Sequence, residues 1–161
     1  MEGTTVRETM DTRDPLALEQ QVCFALSVAA RSVVAVYKPI LEPLGLTHPQ
    51  YLVMLALWQR APRSVKDLSQ ALQLDPGTLS PLLKRLEAAG YVRRARDNAD
   101  ERLLAVTLTP QGAALRAEAL RIPPAVVERL GVELTELRSL HQALTRLIAA
   151  ASGASVNSDA A

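Results

Sequence analysis

Cys23 is the single cysteine of this 161-residue chain, and its thiol is the most reactive side-chain group in the sequence. A thiolate attacks peroxides and disulfides, and its oxidation begins with a sulfenic acid. Because the chain has no second cysteine, Cys23 cannot form an internal disulfide, which favours a reduced, intracellular protein. Its neighbours in "QQVCFALSV" are ordinary apolar residues, so a small buried hydrophobic side chain is the alternative interpretation.

A second group of residues has the composition of a surface that binds a polyanion. From Lys84 to Arg96 the sequence has five basic residues and one acidic residue, a local charge of +4 in a chain of net charge +1. Hydroxyl and basic side chains together suit contacts with the phosphates and nucleobases of duplex DNA. The alternative is a basic surface that only faces water. The candidate DNA-binding residues are Thr78, Ser80, Lys84, Arg85, Arg94, Asp100 and Arg102.

Helices are predicted to position most of these residues. Asp14 and Pro15 indicate the start of a helix over 15–42, which Pro39 kinks or ends. This helix contains Cys23 more than a turn from its N-terminus, so we expect its dipole to contribute little there. Further helix starts are indicated by Thr47 with Gln50, by Ser64 with Asp67, by Asp75 with Pro76, and by Thr109 with Pro110.

The helix that begins after Asp75 is predicted to bury one face and expose the other. Its apolar stripe consists of Leu79, Leu82, Leu83 and Leu86, and the opposite face carries Thr78, Ser80, Lys84 and Arg85. After Gly90, "YVRRAR" and "LLAVTLT" are short β-prone segments joined by the polar loop "DNADER". The order helix, helix, hairpin predicts a winged helix-turn-helix, in which Arg102 enters the minor groove and Asp100 holds its guanidinium.

The sequence predicts no membrane partner. The N-terminus lacks the apolar run of a signal peptide, and the longest apolar stretch, Cys23 to Tyr37, is broken by Arg31 and is too short to span a bilayer. We therefore expect a cytoplasmic protein. No grouping of residues indicates a metal site or a cofactor.

Two segments resemble a known family. "LDPGTLSPLLKRLEAAGYVRRAR" and "DERLLAVTLTPQG" are similar to the multiple-antibiotic-resistance regulator (MarR) family of transcriptional regulators. "EQQVCFALSVAARSVVAVYKPILEPLGLTHPQYLVMLALW" resembles its organic-hydroperoxide-sensing branch, the OhrR-type repressors. The resemblance covers residues 17 to about 150. It implies a mainly α fold with a small β-hairpin, a winged helix-turn-helix with long N- and C-terminal dimerisation helices.

The resemblance also assigns roles to single residues. Cys23 aligns with the peroxide-reactive cysteine of that branch, and Tyr37 with a tyrosine that hydrogen-bonds its thiolate. His48 stands in "THPQY" where the family has tyrosine; its imidazole can donate one hydrogen bond and, if protonated, favours a thiolate more strongly. An N-terminal helix residue facing water is the alternative for His48. Thr78, Ser80, Lys84, Arg85 and Arg102 align with DNA-contacting positions, whereas Pro76 replaces a serine of the branch.

The family is homodimeric, and spacing supports this independently. Cys23 and Tyr37 are fourteen residues apart on one predicted helix, which is roughly 21 Å. If they touch, Tyr37 comes from a second chain. The predicted organisation is a flexible arm (1–13), an N-terminal dimerisation and sensor helix (14–46), a winged helix-turn-helix (47–109), C-terminal dimerisation helices (110–151) and a disordered tail (152–161).

The leading functional hypothesis is a repressor that releases its operator when an organic hydroperoxide oxidises Cys23. With no second cysteine in the chain, the sulfenic acid is left to react with a low-molecular-weight thiol, to form a sulfenamide, or to over-oxidise. One alternative is a regulator that answers a phenolic or other small ligand, with Cys23 incidental. Another, of a different class, is a thiol peroxidase, although we expect no enzyme because the basic winged unit would then have no purpose.

Overall fold

A computed structural model describes residues 14–96 and 104–158 of the chain. These residues form a mainly helical structure with a small antiparallel sheet, which confirms the predicted fold class. The helices are α1 (Val22–Leu41), α2 (His48–Gln59), α3 (Val65–Leu72), α4 (Pro76–Ala88), α5 (Pro110–Ala119), α6 (Ile122–Leu130) and α7 (Leu134–Ser158), and the strands are β1 (Arg63–Ser64), β2 (Val92–Arg96) and β3 (Leu104–Leu108). The chain divides between Ala35 and Val36 into two compact units.

Side-chain caps begin four helices where the sequence predicted them. Thr47 forms a capping box with Gln50 at the start of α2, and the side chains of Ser64, Asp75 and Thr109 each accept a backbone N–H of the helix that follows. Each cap satisfies one of the N–H groups that a helix leaves without an internal partner. These local signals therefore determined where α2, α3, α4 and α5 begin.

The sheet places the two predicted strands side by side and adds a third. Strands β2 and β3 pair antiparallel with Arg94 opposite Val106, and β1 pairs with the other edge of β3 with Arg63 opposite the same Val106. The predicted hairpin is therefore present. Strand β1 was not predicted, because two residues are too few to show the alternation by which a strand is recognised.

The core of the second unit is built mainly from leucine and valine side chains of α2, α3, α4 and the sheet, to which the end of α1, α5 and α6 add further buried residues. The four leucines predicted for the apolar stripe of α4 are all buried. Leu68 of α3, Met54 of α2 and Val106 of β3 join the same core. Full burial of each such side chain contributes about 1.5–3 kcal/mol, so this core is the main source of stability for the winged unit.

The "LTPQG" segment, which connects β3 to α5, packs tightly against Tyr91 and Trp58. A Cβ at Gly112 would lie 1.9 Å from the carbonyl oxygen of Tyr91. The Gly112 carbonyl accepts a hydrogen bond from Trp58 Nε1 at 2.9 Å, and the Thr109 hydroxyl donates to the carbonyl of Gly90 at 2.5 Å. Position 112 therefore requires glycine for packing, and this part of the family motif is structural.

Helix α1 begins later than the sequence predicted. Residues Leu18–Gln20 form a 3₁₀ turn, and Gln21 is extended (φ −83°, ψ 119°) before α1 starts at Val22. The Gln21 side-chain amide donates to the carbonyls of Pro15 and Ala17 at 2.8 and 3.2 Å, which satisfies this turn without a continuous helix. Cys23 is therefore the second residue of α1, and the prediction that the helix N-terminus lies more than a turn away was wrong.

Helix α1 extends beyond both ends of the apolar stretch Cys23 to Tyr37. It includes Pro39, ends at Leu41 and continues as a 3₁₀ turn, so the run Val22–Leu44 is long and apolar enough to cross a membrane by length and composition alone. The prediction concerned Cys23 to Tyr37 alone, and the helix that contains this stretch continues beyond Tyr37. Mostly buried core helices of soluble proteins pass the same test, whereas this run is mostly exposed in the single chain.

Helix α7 extends past its predicted end at Ala151 as far as Ser158. Residues 152–158 are mostly small and show no apolar period, and the sequence predicted no structure for them. They contain no proline, so nothing stops a helix that the preceding leucine-rich turns have already nucleated.

Candidate functional site

The outer face of α4 presents the hydroxyl and basic residues that the sequence singled out. Thr78, Ser80, Lys84 and Arg85 are all exposed. Leucines on the opposite side anchor the helix in the core, so this face is held outward by packing rather than by its own contacts. The arrangement offers cationic and hydroxyl donors along one exposed ridge.

Thr78 also has a structural role. Its hydroxyl donates to Asp75 Oδ2 at 2.7 Å, and its backbone N–H donates to Asp75 Oδ1 at 2.9 Å. These hydrogen bonds from Thr78 hold the pKa of the Asp75 carboxyl below its ordinary value. The Thr78 hydroxyl proton is thus engaged by the cap, while its oxygen lone pairs remain available as acceptors.

Arg94 on β2 is tied to α4. Its Nε lies 2.7 Å from Glu87 Oε2, and the hydrogen bond from Arg94 holds the pKa of the Glu87 carboxyl below its ordinary value. Neighbouring Arg93 and Arg96 are exposed. Arg94 therefore joins the hairpin to the helix, and two other arginines of the hairpin are the freer cations.

The remaining predicted DNA-binding residues, Asp100 and Arg102, lie outside the described residues.

Cys23 is exposed in the first turn of α1. The hydroxyl of Ser27, one turn later, donates to the Cys23 carbonyl at 2.9 Å. The first turn of a helix has free backbone N–H groups and a partial positive charge, which favour an anion. In the single chain, Cys23 is therefore not part of the hydrophobic core.

Tyr37 and His48 are brought together by the junction of α1 and α2. Their ring centroids are 4.8 Å apart, with the planes at 63° in an edge-to-face contact. Burial raises the pKa of Tyr37 and lowers that of His48. His48, the first residue of α2, is therefore half-buried against Tyr37, and this burial disfavours its protonated form.

Tyr51 completes this aromatic group and was missed in the sequence. Its ring centroid is 5.9 Å from that of Tyr37 and 6.4 Å from that of Trp58. Burial, and secondarily the charge of Tyr37, raise the pKa of Tyr51. The available signal was spacing: Tyr51 follows His48 by three residues, which puts both on one side of α2.

Cys23 belongs to the unit before Val36, whereas Tyr37 and His48 belong to the unit after Ala35. In the part of the chain that the structure describes, no group of three or more histidine, cysteine, aspartate or glutamate residues could hold a metal ion.

A shallow groove of about 300 Å³ runs beside the aromatic group. Its lining is mostly apolar, with Arg116 as its cationic side chain. The lining residues are Tyr51, Leu55, Trp58, Gln59, Arg116, Ala119, Leu120 and Pro123.

Comparison with known proteins found relatives along most of the chain. Residues 35–118 match the family model for the transcriptional regulator SarA/Rot. The chain is 46% identical over 127 residues to the HTH-type transcriptional regulator TtmR of Methylorubrum extorquens, covering 79% of this chain and 65% of TtmR, just under two thirds of its length. It is 40% identical over 129 residues to the organic hydroperoxide resistance transcriptional regulator of Bacillus subtilis, covering 78% and 88%.

Solved structures show the same architecture. The reduced AbfR regulator bound to DNA, a protein of Staphylococcus epidermidis, is 34% identical and superposes with a TM-score of 0.65, covering 81% of this chain and 93% of that one. Wild-type MarR of E. coli shares the fold at 23% identity, with a TM-score of 0.63 and coverage of 79% and 96%.

Proposed function

This chain belongs to the MarR family of transcriptional regulators, of the organic-hydroperoxide (OhrR) type, and from that premise we propose that it is a homodimeric, cytoplasmic repressor that releases operator DNA when Cys23 is oxidised. The observation that carries the proposal is the exposed thiol in the first turn of α1, in a chain 40% identical to a regulator of organic hydroperoxide resistance. DNA binding, dimerisation and sensing are each supported by separate residues.

The outer face of α4 is the proposed DNA-reading surface. Ser80, Lys84 and Arg85 are exposed there, and Thr78 presents acceptor lone pairs. An exposed helix with cations on the side away from the core fits the major groove, and the hairpin with Arg94, Asp100 and Arg102 is the proposed wing. The related AbfR has been solved bound to DNA, which supports duplex DNA as the ligand of this chain.

Two helices with exposed apolar residues support a homodimer. Leu18, Val22 and Phe24, at and before the start of α1, are exposed, and so are Leu140 and Leu147 of α7. Apolar residues recur in α7 at heptad spacing, namely Leu137, Leu140, Leu144, Leu147 and Ala151. This 3.5-residue period is typical of a helix that packs against another helix, so α7 is the proposed centre of the dimer.

The proposed sensor reaction is a two-electron oxidation. The Cys23 thiolate attacks the outer oxygen of an organic hydroperoxide, the O–O bond breaks, and the alkoxide leaves and takes up a proton to become an alcohol. A small thiol then attacks the sulfenic sulfur, and water leaves as a mixed disulfide forms. Tyr37 and His48 of the partner subunit are the proposed hydrogen-bond donors to the thiolate. Within one chain these two residues cannot serve, since Cys23 is at the start of α1, whereas Tyr37 is near its end and His48 begins α2.

The test is a DNA-release titration with an organic hydroperoxide and with hydrogen peroxide, followed by mass spectrometry of Cys23. We expect release by the organic peroxide, recovery with dithiothreitol from the mixed disulfide, and no response in Cys23→Ser. A Cys23→Ser variant that still responds to peroxide would overturn the sensor role. The overoxidised form of AbfR is seen bound to DNA, so affinity is measured separately for the sulfinic and sulfonic forms of this chain.

A ligand-responsive regulator is the second candidate, and the groove beside Tyr51 favours it. Apolar walls with one arginine suit a small aromatic acid or phenol. In that case DNA release follows ligand addition in both wild type and Cys23→Ser. The thiol peroxidase hypothesis has no comparable support, because the relatives of this chain are named transcriptional regulators. A footprint on duplex DNA distinguishes a regulator from an enzyme.

A further inference from the structure

Three of the four residues at the centre of the outer face of α4 have no polar side-chain atoms. A helix turns 100° per residue, so positions 77, 81, 84 and 88 lie opposite the buried leucines of this helix. Gly77, Pro81 and Ala88 are exposed there beside Lys84. If this face reads bases, these three positions read them through something other than a side-chain hydrogen bond.

Pro81 lies inside α4, where a proline removes a backbone donor. Its nitrogen carries no hydrogen, so the carbonyl of Gly77, four residues earlier, receives no bond from it. The proline ring also pushes that carbonyl away from the helix axis. Pro76 differs, because it occupies the first turn, where the missing N–H is one that has no helical partner anyway.

Gly77 is an exposed residue, so its backbone lies at the surface of the helix. It has no side chain that could lie over its own carbonyl oxygen. Lys84 and Arg85 beside it can only donate hydrogen bonds. The Gly77 oxygen is thus a main-chain acceptor at the centre of a face rich in donors.

We propose that the carbonyl of Gly77, released by Pro81, determines base specificity by accepting a hydrogen bond in the major groove. This inference rests on the proposed binding of operator DNA by α4. The donors that the major groove presents are the exocyclic amino groups of cytosine and adenine. Lys84 and Arg85 suit guanine and phosphate oxygens instead, so the carbonyl gives the protein a preference at one base pair of each half-site that its basic side chains cannot supply.

The experiment uses the full-length protein and the half-sites defined by its own footprint. Each cytosine and adenine in turn is replaced by an analogue that lacks the exocyclic amino group, and affinity is measured for wild type, Pro81→Ala and Pro76→Ala. Replacement at one position of a single half-site should weaken wild-type binding about fivefold, the effect of one lost hydrogen bond. Pro76→Ala should show the same loss, whereas Pro81→Ala, whose N–H reclaims the carbonyl, should not.

Two further readouts separate this contact from others. The dependence of affinity on salt should be unchanged in Pro81→Ala and reduced in Lys84→Ala, because only the lysine contacts phosphate. Circular dichroism should show at least wild-type helix content in Pro81→Ala, since alanine restores the helical bond. Equal sensitivity of wild type and Pro81→Ala to every analogue overturns the inference. So does sensitivity only to uracil in place of thymine, which indicates contact of the proline ring with the methyl group. Failure of wild type to bind any duplex overturns the proposed function itself.

Discussion

Helices α4 and α7 use leucine in opposite ways. The four leucines of α4 are buried in the core of the winged unit, which a single chain completes. In α7, Leu140 and Leu147 are 52% and 43% exposed, and none of the residues 134–153 is buried. The winged unit therefore carries its own stability, whereas the apolar residues of α7 are unexplained until a second surface covers them.

The difference assigns separate tasks to the two regions. A self-contained core keeps the outer face of α4 rigid, which a reader of DNA bases requires. A helix that depends on a second chain instead couples its position to whatever alters the interface. In the function proposed here, a change at Cys23, near the exposed residues that begin α1, moves one α4 helix relative to the other without unfolding either.

The largest expected effect comes from substitutions in α7 that disrupt the proposed dimer and leave the winged unit folded. Leu140→Asp with Leu147→Asp places four charges per dimer where leucines are proposed to pack. At about 1.5 kcal/mol for each of the four leucines, the dissociation constant of the dimer should rise about 10⁴-fold. Sedimentation gives the association state, and fluorescence of Trp58, the only tryptophan, reports the winged core. Simultaneous loss of the Trp58 signal would contradict the independence of the two regions.

The next prediction breaks the winged unit instead. Gly112→Ala drives a methyl group into the Tyr91 carbonyl, so the free energy of unfolding should fall by about 3 kcal/mol. Gly153→Ala in α7 is the matched control: its Cβ meets nothing within 4 Å, and stability should rise by about 0.5 kcal/mol. Both are measured by urea denaturation at one chain concentration. Equal effects of the two changes would refute the packing role of position 112.

A smaller effect concerns α1, which contains both Cys23 and Tyr37. Tyr37→Phe removes a proposed donor to the thiolate and little volume, so oxidation of Cys23 should slow about tenfold with DNA affinity retained. His48→Phe should act in the same direction. Tyr91→Phe is the control, because that hydroxyl already donates to the Leu44 carbonyl at 2.8 Å. Stopped-flow kinetics of thiol loss decide, and an unchanged rate in both test variants leaves the proposed donors without support.

The smallest effect is the dependence of stability on pH. Burial lowers the pKa of His48, so the unfolded chain takes up a proton at higher pH than the folded chain does. Stability is therefore complete above about pH 6.5 and declines as pH falls from there. His48→Phe should remove this decline, while His141→Gln, on the exposed side of α7, should keep it. The carboxyls of Asp75 and Glu87, whose pKa values are also lowered, contribute only at more acidic pH. Thermal melts from pH 7.5 to 5.5 test it.

Local signals in the sequence determined much of this molecule. Thr47, Ser64, Asp75 and Thr109 mark the helix starts because a cap needs only residues within one turn. The leucine stripe of α4 and the strands of the hairpin follow from periodicities of 3.6 and 2, which are properties of the backbone. Gly90, with a φ of 82°, follows the end of α4, where glycine is common because it adopts positive φ without strain.

Other features depended on residues distant in the chain or on competition between hydrogen bonds, and only the tertiary structure decided them. Arg94 is held by Glu87 and Tyr51 lies against Tyr37 because the folded elements meet there. Gly112 is required by the Tyr91 carbonyl, twenty-one positions earlier in the sequence. The place of Cys23 in the first turn of α1 followed from hydrogen bonds of the Gln21 side chain that replace a continuous helix. Residue types and periodicity determine which chemistry is available; which groups remain free to perform it depends on the packing that pairs or exposes them.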